Sequence, residues 1–276
     1  MCRDCGCSLG PAAQRAPLAA APVAPAVRTE TIEVITAILG ENDRVAAHNR
    51  AHFDERRVLA LNLMSSPGAG KTALLEATIR ALDGRLRVAV VEGDLATEND
   101  AARIRACGVP AVQITTGNAC HLDAQMVHDA LHELPLAGLD VLFIENVGNL
   151  VCPASFDLGQ HRNVTLLSVP EGDDKPAKYP VMFRAADLSL ITKTDLLPYL
   201  TEFSVERARL ALRQIGYAGE TIELTSRGGE GFAAWLAWLE REVAAQRART
   251  AGGTTARPGI QPDGASAHAA GQRPPR

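Results

Sequence analysis

The sequence predicts an α/β fold of the P-loop type, in which helices cover both faces of a mostly parallel sheet and the two ends of the chain are disordered tails. Two observations support this prediction. Continuous apolar runs, typical of buried parallel strands, alternate with helical patterns over most of the chain. A glycine-bearing loop at residues 65–72 also follows the first apolar run and precedes a helical pattern, as a phosphate-binding loop requires.

The predicted elements alternate along the chain, after a leading helix at residues 31–51. The predicted strands cover residues 58–64, 87–92, 111–114, 141–146, 164–169, 188–192 and 221–224. The other predicted helices cover residues 72–82, 98–106, 122–134, 205–215 and 231–245. Ligands of such sheets bind at the carboxyl ends of the strands. Polar motifs that directly follow a strand are therefore the candidates for function.

Composition divides the chain into three regions. Residues 1–28 hold a cysteine cluster and an Ala/Pro tether, residues 29–247 form the P-loop domain, and residues 248–276 are rich in Gly, Pro, Ala and Arg. The two end regions have too few large apolar side chains to offset the entropy lost on ordering, so we expect them to be disordered.

The bulk composition narrows the class of function. A net charge of −4 leaves no basic surface for nucleic acid. No apolar stretch approaches the roughly 20 residues of a membrane span, and prolines interrupt the Ala-rich N-terminal segment where a signal peptide would lie. We therefore expect a cytoplasmic protein without a membrane partner. Its six cysteines are then more plausible as ligands or nucleophiles than as disulfides.

The loop at residues 65–72 is the strongest single motif. Its backbone N–H groups and the start of the next helix favour phosphate oxygens, Lys71 would reach the β- and γ-phosphates, and Thr72 would hold Mg²⁺. Ser65 replaces the first glycine of the usual pattern. The predicted nucleotide-binding residues here are Gly68, Ala69, Gly70, Lys71, Thr72 and Ala73.

Acidic residues follow the apolar runs of two later strands in the predicted sheet, at residues 87–92 and 141–146. Asp94 and Glu145 each follow an apolar run, which is where P-loop proteins hold Mg²⁺ or its waters. Gly148, three residues further, would let a switch loop approach the γ-phosphate. The alternatives are a helix N-cap for Asp94 and a solvated strand-end charge for Glu145. Together with Lys71 these two carboxylates are the predicted catalytic residues, and with Thr72 they are the predicted magnesium ligands.

A carboxylate after a later strand predicts the base. In Thr192-Lys193-Thr194-Asp195, the Asp195 carboxylate can accept from N1–H and the amino group of guanine, and the Lys193 stem can lie along the base. The segment resembles the Asn-Lys-x-Asp motif of GTPases, with Thr192 in place of Asn. GTP is therefore favoured over ATP.

Two sets of soft ligands share the chain. Cys2, Cys5 and Cys7 form a short N-terminal cluster that can suit Ni²⁺ or Zn²⁺, the alternatives being a redox pair or a fragment of a structural zinc module. Cys120-His121 and Cys152 supply three further ligands, an incomplete set that a two-fold dimer could complete. The ordinary alternative is that each of these cysteines is simply a small core residue, as we expect for Cys107.

Five segments in order resemble the hydrogenase maturation GTPases that deliver nickel to [NiFe]-hydrogenase precursors. The segments are residues 2–7, 65–72, 92–94, 116–124 and 145–153. Over residues 31–238 plus the N-terminal cluster, this combination is far more specific than the P-loop alone.

The resemblance implies a P-loop GTPase fold and a dimer that hydrolyses GTP to GDP. It implies tight nickel binding by Cys2, Cys5 and Cys7, and weaker nickel or zinc binding across the dimer at Cys120, His121 and Cys152. It further implies a companion nickel-insertion accessory protein and the hydrogenase large-subunit precursor as partners, with residues 171–176 and Lys178 near the nucleotide or the dimer contact. The seven histidines are scattered, unlike the His-rich storage tracts of some members.

The function predicted from these motifs is a metallochaperone in which nucleotide state controls metal release. Because Cys152 lies in the same predicted loop as Gly148, ordering of that loop by GTP should move one metal ligand. Two alternatives stay open from the sequence. One is a small-molecule kinase that uses the same P-loop, and the other is a zinc-stabilised interaction scaffold.

Overall fold

The computed structural model describes residues 26–94, 99–117 and 119–258. Contacts divide the chain into residues 1–37 and residues 38–276. The first of these contributes the start of helix α1, Ala26–Glu55. The predicted metal ligands Cys2, Cys5 and Cys7 and most of the predicted C-terminal tail lie outside the described residues.

Residues 38–276 contain a seven-stranded sheet whose neighbouring strands all run parallel. The strands are β1 Leu59–Ser65, β2 Val88–Asp94, β3 Ala111–Thr115, β4 Val141–Glu145, β5 Arg162–Ser168, β6 Leu188–Thr192 and β7 Glu220–Glu223. Their order across the sheet is β3-β2-β4-β1-β5-β6-β7. The strand that precedes the P-loop is thus central, and the polar ends of β2, β4 and β6 lie near it.

The described helices follow the predicted pattern and add two short ones. After α1 they are α2 Lys71–Leu82, α3 Asn99–Ala106, α4 Ala124–Leu131, α5 Lys175–Lys178, α6 Pro180–Arg184, α7 Val205–Gln214 and α8 Glu230–Ala251. Helices α5 and α6 were not predicted, because four- and five-residue helices show no 3.6-residue periodicity. Helix α8 continues six residues beyond its predicted end.

Apolar side chains bury both faces of the central strands. Leu59, Leu61 and Leu63 face one cluster that includes the α8 tryptophan Trp235, whereas Val58 and Ala60 face the other side with Phe53 of α1. This two-sided burial is why these strands are continuous apolar runs rather than alternating ones. Cys107 is half-buried against the first cluster, close to the predicted core position.

Candidate nucleotide and metal sites

The P-loop surrounds the N-terminus of α2 at the carboxyl edge of the sheet. Gly68 and Gly70 have φ angles of 76° and 99°, which glycine adopts without strain. The loop forms one wall of a cavity of about 360 Å³, and the ends of β2 and β4 form the opposite wall. The backbone N–H groups of a helix start, together with the helix dipole, make this a favourable place for phosphate.

Ser65, the one departure from the usual loop pattern, holds the loop lysine. Lys71 Nζ donates to Ser65 Oγ at 3.0 Å, and Ser65 Oγ donates to the carbonyl of Ser66 at 2.7 Å. The Lys71 ammonium also lies 3.8 Å from Glu145 Oε1, and both side chains are buried. Serine at position 65, in place of the usual glycine, therefore holds the Lys71 side chain in an orientation that crosses the cavity.

Two glutamates face each other under the cavity, and the sequence analysis assigned a role to only one of them. Glu92 and Glu145 are register partners on β2 and β4, and both are buried. Burial and the neighbouring Glu145 carboxylate raise the pKa of Glu92 far above its usual range. Burial also raises the pKa of Glu145, but Lys71, Glu92 and Thr72 oppose that rise. At neutral pH, Glu92 therefore keeps its proton, so the buried pair does not carry two negative charges.

The donors in this cavity fit a hard divalent cation. Thr72 Oγ1 donates to Glu145 Oε1 at 3.1 Å, and Asp94 lines the same cavity. Glu145 Oε2 and Glu92 Oε1 are buried without a hydrogen-bond partner, a costly arrangement unless something else satisfies them. Carboxylate and hydroxyl oxygens are the ligands that Mg²⁺ prefers. The structure therefore brings Thr72, Asp94 and Glu145 together, and it adds Glu92.

The segment predicted to recognise the base packs directly on the P-loop. Thr192 Oγ1 donates to the carbonyl of Ala69 at 2.9 Å, and Lys193 Nζ donates to the carbonyl of Gly68 at 2.6 Å. Thr192 thus makes a polar link to the P-loop with a hydroxyl, although it lacks the amide of the usual asparagine. Asp195 is partly exposed and lies 3.4 Å from the Arg227 guanidinium. Its carboxylate is therefore accessible, next to an exposed cation that can move.

The loop after β4 touches the P-loop through a glycine. A Cβ atom on Gly148 would lie 2.9 Å from both Cα and N of Pro67. Such a distance is too short for any real Cβ, so only glycine allows this contact. Glu171, in the segment that the resemblance places near the nucleotide, accepts a hydrogen bond from Ser66 Oγ of the same P-loop.

Cys120, His121 and Cys152 come together although they lie on two loops 32 residues apart. One ligand atom from each lies within 4.8 Å of the others. Cys120 Sγ donates to Cys152 Sγ at 2.9 Å and lies 3.7 Å from His121 Nδ1. The His121 ring stacks on Phe156 with centroids 3.9 Å apart. Two thiols and an imidazole are a donor set for Ni²⁺ or Zn²⁺.

The pKa shifts in this cluster favour metal binding by His121 and oppose metal binding by Cys152. Burial lowers the pKa of His121, so its imidazole is neutral near pH 7 and able to bind a metal. Hydrogen bonding with Cys120 and burial raise the pKa of Cys152. A metal ion must therefore displace thiol protons, and the affinity should increase with pH.

A buried asparagine connects the metal cluster with the nucleotide cavity. Asn146 Oδ1 accepts from the backbone N–H of Leu122 at 3.1 Å and from that of Val147 at 3.0 Å. Asn146 Nδ2 donates to Asn62 Oδ1 of β1 at 3.2 Å. Asn149 Nδ2 also donates to the carbonyl of Cys120 at 3.2 Å. The loop that ends at Cys152 is thus bonded to the loop that carries the other two ligands.

Sequence reasoning missed the roles of Glu92 and Asn146. Both lie within the segments 92–94 and 145–153 that carry the family resemblance, but neither was predicted to have a role of its own. A charged residue inside the apolar run at 88–92 was the available signal for Glu92. For Asn146 the only signal was its position directly after Glu145, since its partners come from other strands and loops.

Comparison with known proteins agrees with this geometry. The sequence model of the family described as "CobW/HypB/UreG, nucleotide-binding domain" matches residues 59–217. The hydrogenase maturation factor HypB of Azotobacter vinelandii is 58% identical over 74% of this chain and 67% of its own length. That of Escherichia coli K12 is 54% identical over 76% of this chain and 72% of its own length.

A solved structure of a related protein has a similar fold. HypB from Helicobacter pylori, in complex with nickel, has a TM-score of 0.72 and 40% identity, and the match covers 75% of this chain and 97% of that one. Among the described residues, no helix is both long and apolar enough to cross a membrane. The chain therefore belongs to the CobW/HypB/UreG family of nucleotide-binding proteins, among the hydrogenase maturation factors HypB.

Proposed function

We propose that this protein is a GTP-hydrolysing nickel metallochaperone. It binds Ni²⁺, delivers it to the large-subunit precursor of a [NiFe]-hydrogenase, and uses its nucleotide state to control the release. One observation carries the proposal: a single short segment, residues 145–152, runs from the nucleotide cavity to the Cys120, His121 and Cys152 cluster.

The chain's own groups account for triphosphate binding. The glycine-rich loop and the start of α2 present N–H groups to the phosphates. The buried Lys71 ammonium neutralises charge that builds on the β- and γ-phosphates during hydrolysis. Guanine selection rests on Asp195, with Lys193 holding the base loop on the P-loop through its contact with Gly68.

Thr72, Asp94 and Glu145 would hold Mg²⁺. When bound, Mg²⁺ supplies charge neutralisation for the transferred phosphoryl group. Glu92 has a supporting role in this site. Its proton removes one negative charge from the buried pair, which avoids repulsion between two ionised carboxylates.

The nucleotide cavity is coupled to the cysteine cluster because the P-loop packs closely against the loop after β4. Gly148 lies against the backbone of Pro67, so a phosphate that repositions the P-loop also repositions residues 146–148. Asn146 passes that displacement to the backbone of Leu122, and Cys152 moves with its own loop. Such a change alters the separation of Cys152 from Cys120 and His121. Coupling free energies of this kind are typically about 1–3 kcal/mol.

The nickel ion is the cargo of this reaction. Two thiolates and one imidazole are incomplete for a four-coordinate ion, and a second copy of the chain across a two-fold axis would supply the missing ligands. Zn²⁺ suits the same donors and is the expected competitor. Cys2, Cys5 and Cys7 would hold nickel before transfer, with a companion accessory protein assisting insertion. Reduced thiols and GTP are both available in the cytoplasm, where we place this activity.

The function is tested by release of nickel during turnover. In a full-length Cys2→Ser/Cys5→Ser/Cys7→Ser variant, nickel is loaded at the remaining cysteine site, and its transfer to a chelator is followed after addition of Mg²⁺ and GTP. We expect GTP to accelerate transfer, and ATP or a non-hydrolysable GTP analogue not to do so. The matched variant Lys71→Ala should show no acceleration. Equal transfer rates with GTP, ATP and no nucleotide would refute the proposal.

A further inference from the structure

Four of the seven histidines, which are scattered in the sequence, lie together on one surface. His48 and His52 belong to α1, and His128 and His132 lie at the end of α4. Ring centroids are 4.4 Å apart for His48 and His52, 5.2 Å for His48 and His128, 6.2 Å for His52 and His128, and 5.0 Å for His128 and His132. Each helix contributes a pair four residues apart, which places both rings of a pair on the same side of that helix.

We propose that His48, His52 and His128, with His132 beside them, form a surface site for a divalent transition-metal ion such as Ni²⁺ or Zn²⁺. The site is separate from the cysteine cluster and does not depend on the proposed function. We call these four residues the histidine cluster.

The ring-centroid separations within the histidine cluster match those of imidazoles on one ion, but the rings must turn to aim their nitrogen atoms at it, because among the described residues only Cys120, His121 and Cys152 already have three ligand atoms within 4.8 Å of one another. With metal–nitrogen bonds of 2.0–2.1 Å, each ring centroid lies roughly 3.2 Å from the metal. Two bound rings are then roughly 4.5 Å apart at a right angle and 6.4 Å apart when opposite. The three separations among His48, His52 and His128 fall in this range to within about 0.1 Å.

Two ligand atoms of the cluster already converge. His48 Nε2 and His52 Nε2 are 2.9 Å apart. An ion bonded to both at the usual length would have them at roughly a right angle. That angle suits neighbouring positions in the square-planar or octahedral geometry that Ni²⁺ adopts.

The hydrogen bonds of Asn49 fix the tautomer of His128. Asn49 Nδ2 donates to the carbonyls of Ala124 and Leu158, so Asn49 Oδ1 is the acceptor of this amide. His128 Nδ1, 2.9 Å from Asn49 Oδ1, must then carry a proton. In the neutral imidazole the lone pair then lies on Nε2. A metal-binding histidine commonly has its second nitrogen oriented by an outer partner in this way.

A cavity of about 410 Å³ gives solvent and ions access to the cluster, since His52, His128 and His132 line it. Arg56 also lines this cavity, and its Nη1 donates to His52 Nδ1 at 3.3 Å. His52 must shift its proton from Nε2 to Nδ1 to bind a metal, which breaks this contact. Arg56 therefore opposes metal binding, both through that hydrogen bond and through its charge.

The test uses the full chain with Cys2, Cys5, Cys7 and Cys120 replaced by Ser, so that the thiolate sites no longer bind. Equilibrium dialysis with Ni²⁺, and separately with Zn²⁺, should show one ion per chain. X-ray absorption of the Ni²⁺-loaded protein should show imidazole nitrogen and no sulfur. Adding His48→Gln and His128→Gln should weaken binding at least tenfold. Circular dichroism should show an unchanged fold, because these side chains are exposed or half-buried.

Two further variants provide a control histidine and test the opposing effect of Arg56. His268→Gln removes a histidine outside the described residues and should leave binding unchanged, whereas Arg56→Gln should tighten it severalfold. Absence of a stoichiometric ion in the protein with these four cysteines replaced would overturn the proposal. Equal affinity before and after the His48→Gln/His128→Gln substitution would overturn it as well.

Discussion

The side-chain oxygen of Asn146 accepts a hydrogen bond from the backbone N–H of Leu122 at 3.1 Å. Asn146 directly follows the cavity glutamate Glu145, and Leu122 directly follows the candidate metal ligands Cys120 and His121. Both residues are almost fully buried, so water does not compete for this bond. It is the most direct link that the structure provides between the nucleotide cavity and the cysteine cluster.

Replacing Asn146 by Ala should uncouple the two sites. The substitution leaves the N–H groups of Leu122 and Val147 without their acceptor, which should also lower the free energy of unfolding by about 1–3 kcal/mol. We expect the ratio of Ni²⁺ affinities in the two nucleotide states to fall towards one. The matched control is Asn163→Ala on β5, which removes a buried amide bonded to Asn62 and to the Ala185 carbonyl. It should destabilise the protein and preserve the ratio; equal ratios in both variants would argue against a special role for Asn146.

Much of the fold was predictable from the sequence, but the interactions between elements were not. Every predicted strand is present. The inner strands were predictable because strands buried on both faces must be apolar throughout. The Glu92–Glu145 pair depends on the register of β2 against β4, and the histidine cluster depends on how α1 lies beside α4. Neither relationship leaves a local pattern in the sequence. The P-loop was predictable because the residues expected to contact phosphate lie within eight consecutive positions, 65–72.

The protonated Glu92 should make the free protein less stable as the pH rises. In the unfolded chain this carboxyl loses its proton above about pH 4.5, whereas the folded protein keeps it, because burial raises its pKa far above that value. Unfolding thus releases a proton in this window, and the free energy of unfolding falls by at most about 1.4 kcal/mol per pH unit. Thermal unfolding of nucleotide-free protein between pH 6 and 8.5 measures the slope.

Glu92→Gln should flatten that slope, because the amide cannot ionise but can still donate to Glu145. The control is Glu240→Gln, which removes an exposed carboxylate paired with Arg85. It should leave the slope of the wild-type protein unchanged. A slope in Glu92→Gln as steep as in the wild type would show that Glu92 is ionised in the folded protein.

The choice of base should depend on Asp195. Asp195→Asn replaces two acceptor oxygens by an amide, which loses a charge-assisted contact with guanine and should weaken GTP binding at least tenfold. The amide can donate to the second carbonyl of xanthine, so xanthosine triphosphate should bind better than it does to the wild type. Competition binding with labelled GDP measures both effects. Arg227→Ala, which removes only the exposed ion pair with Asp195, should change GTP affinity little.

Gly148 should be intolerant of any side chain. In Gly148→Ala the new Cβ would meet the Pro67 backbone at 2.9 Å, so the loop or the P-loop must move. We expect kcat/KM for GTP to fall about tenfold or more, since small displacements of positioning groups have large kinetic effects. Gly40→Ala is the matched control, because nothing lies within 4 Å of its added Cβ. Wild-type kinetics for Gly148→Ala would mean that this contact is dispensable.

The most direct test of nucleotide-controlled metal binding is an equilibrium measurement. The Ni²⁺ dissociation constant is determined for the full-length Cys2→Ser/Cys5→Ser/Cys7→Ser protein that also carries His48→Gln and His128→Gln, with Mg²⁺ and GDP and again with Mg²⁺ and a non-hydrolysable GTP analogue. Coupling through residues 145–152 predicts that the two constants differ by about 5- to 150-fold, and that the difference disappears in Cys152→Ser. Identical constants in the two nucleotide states would contradict it.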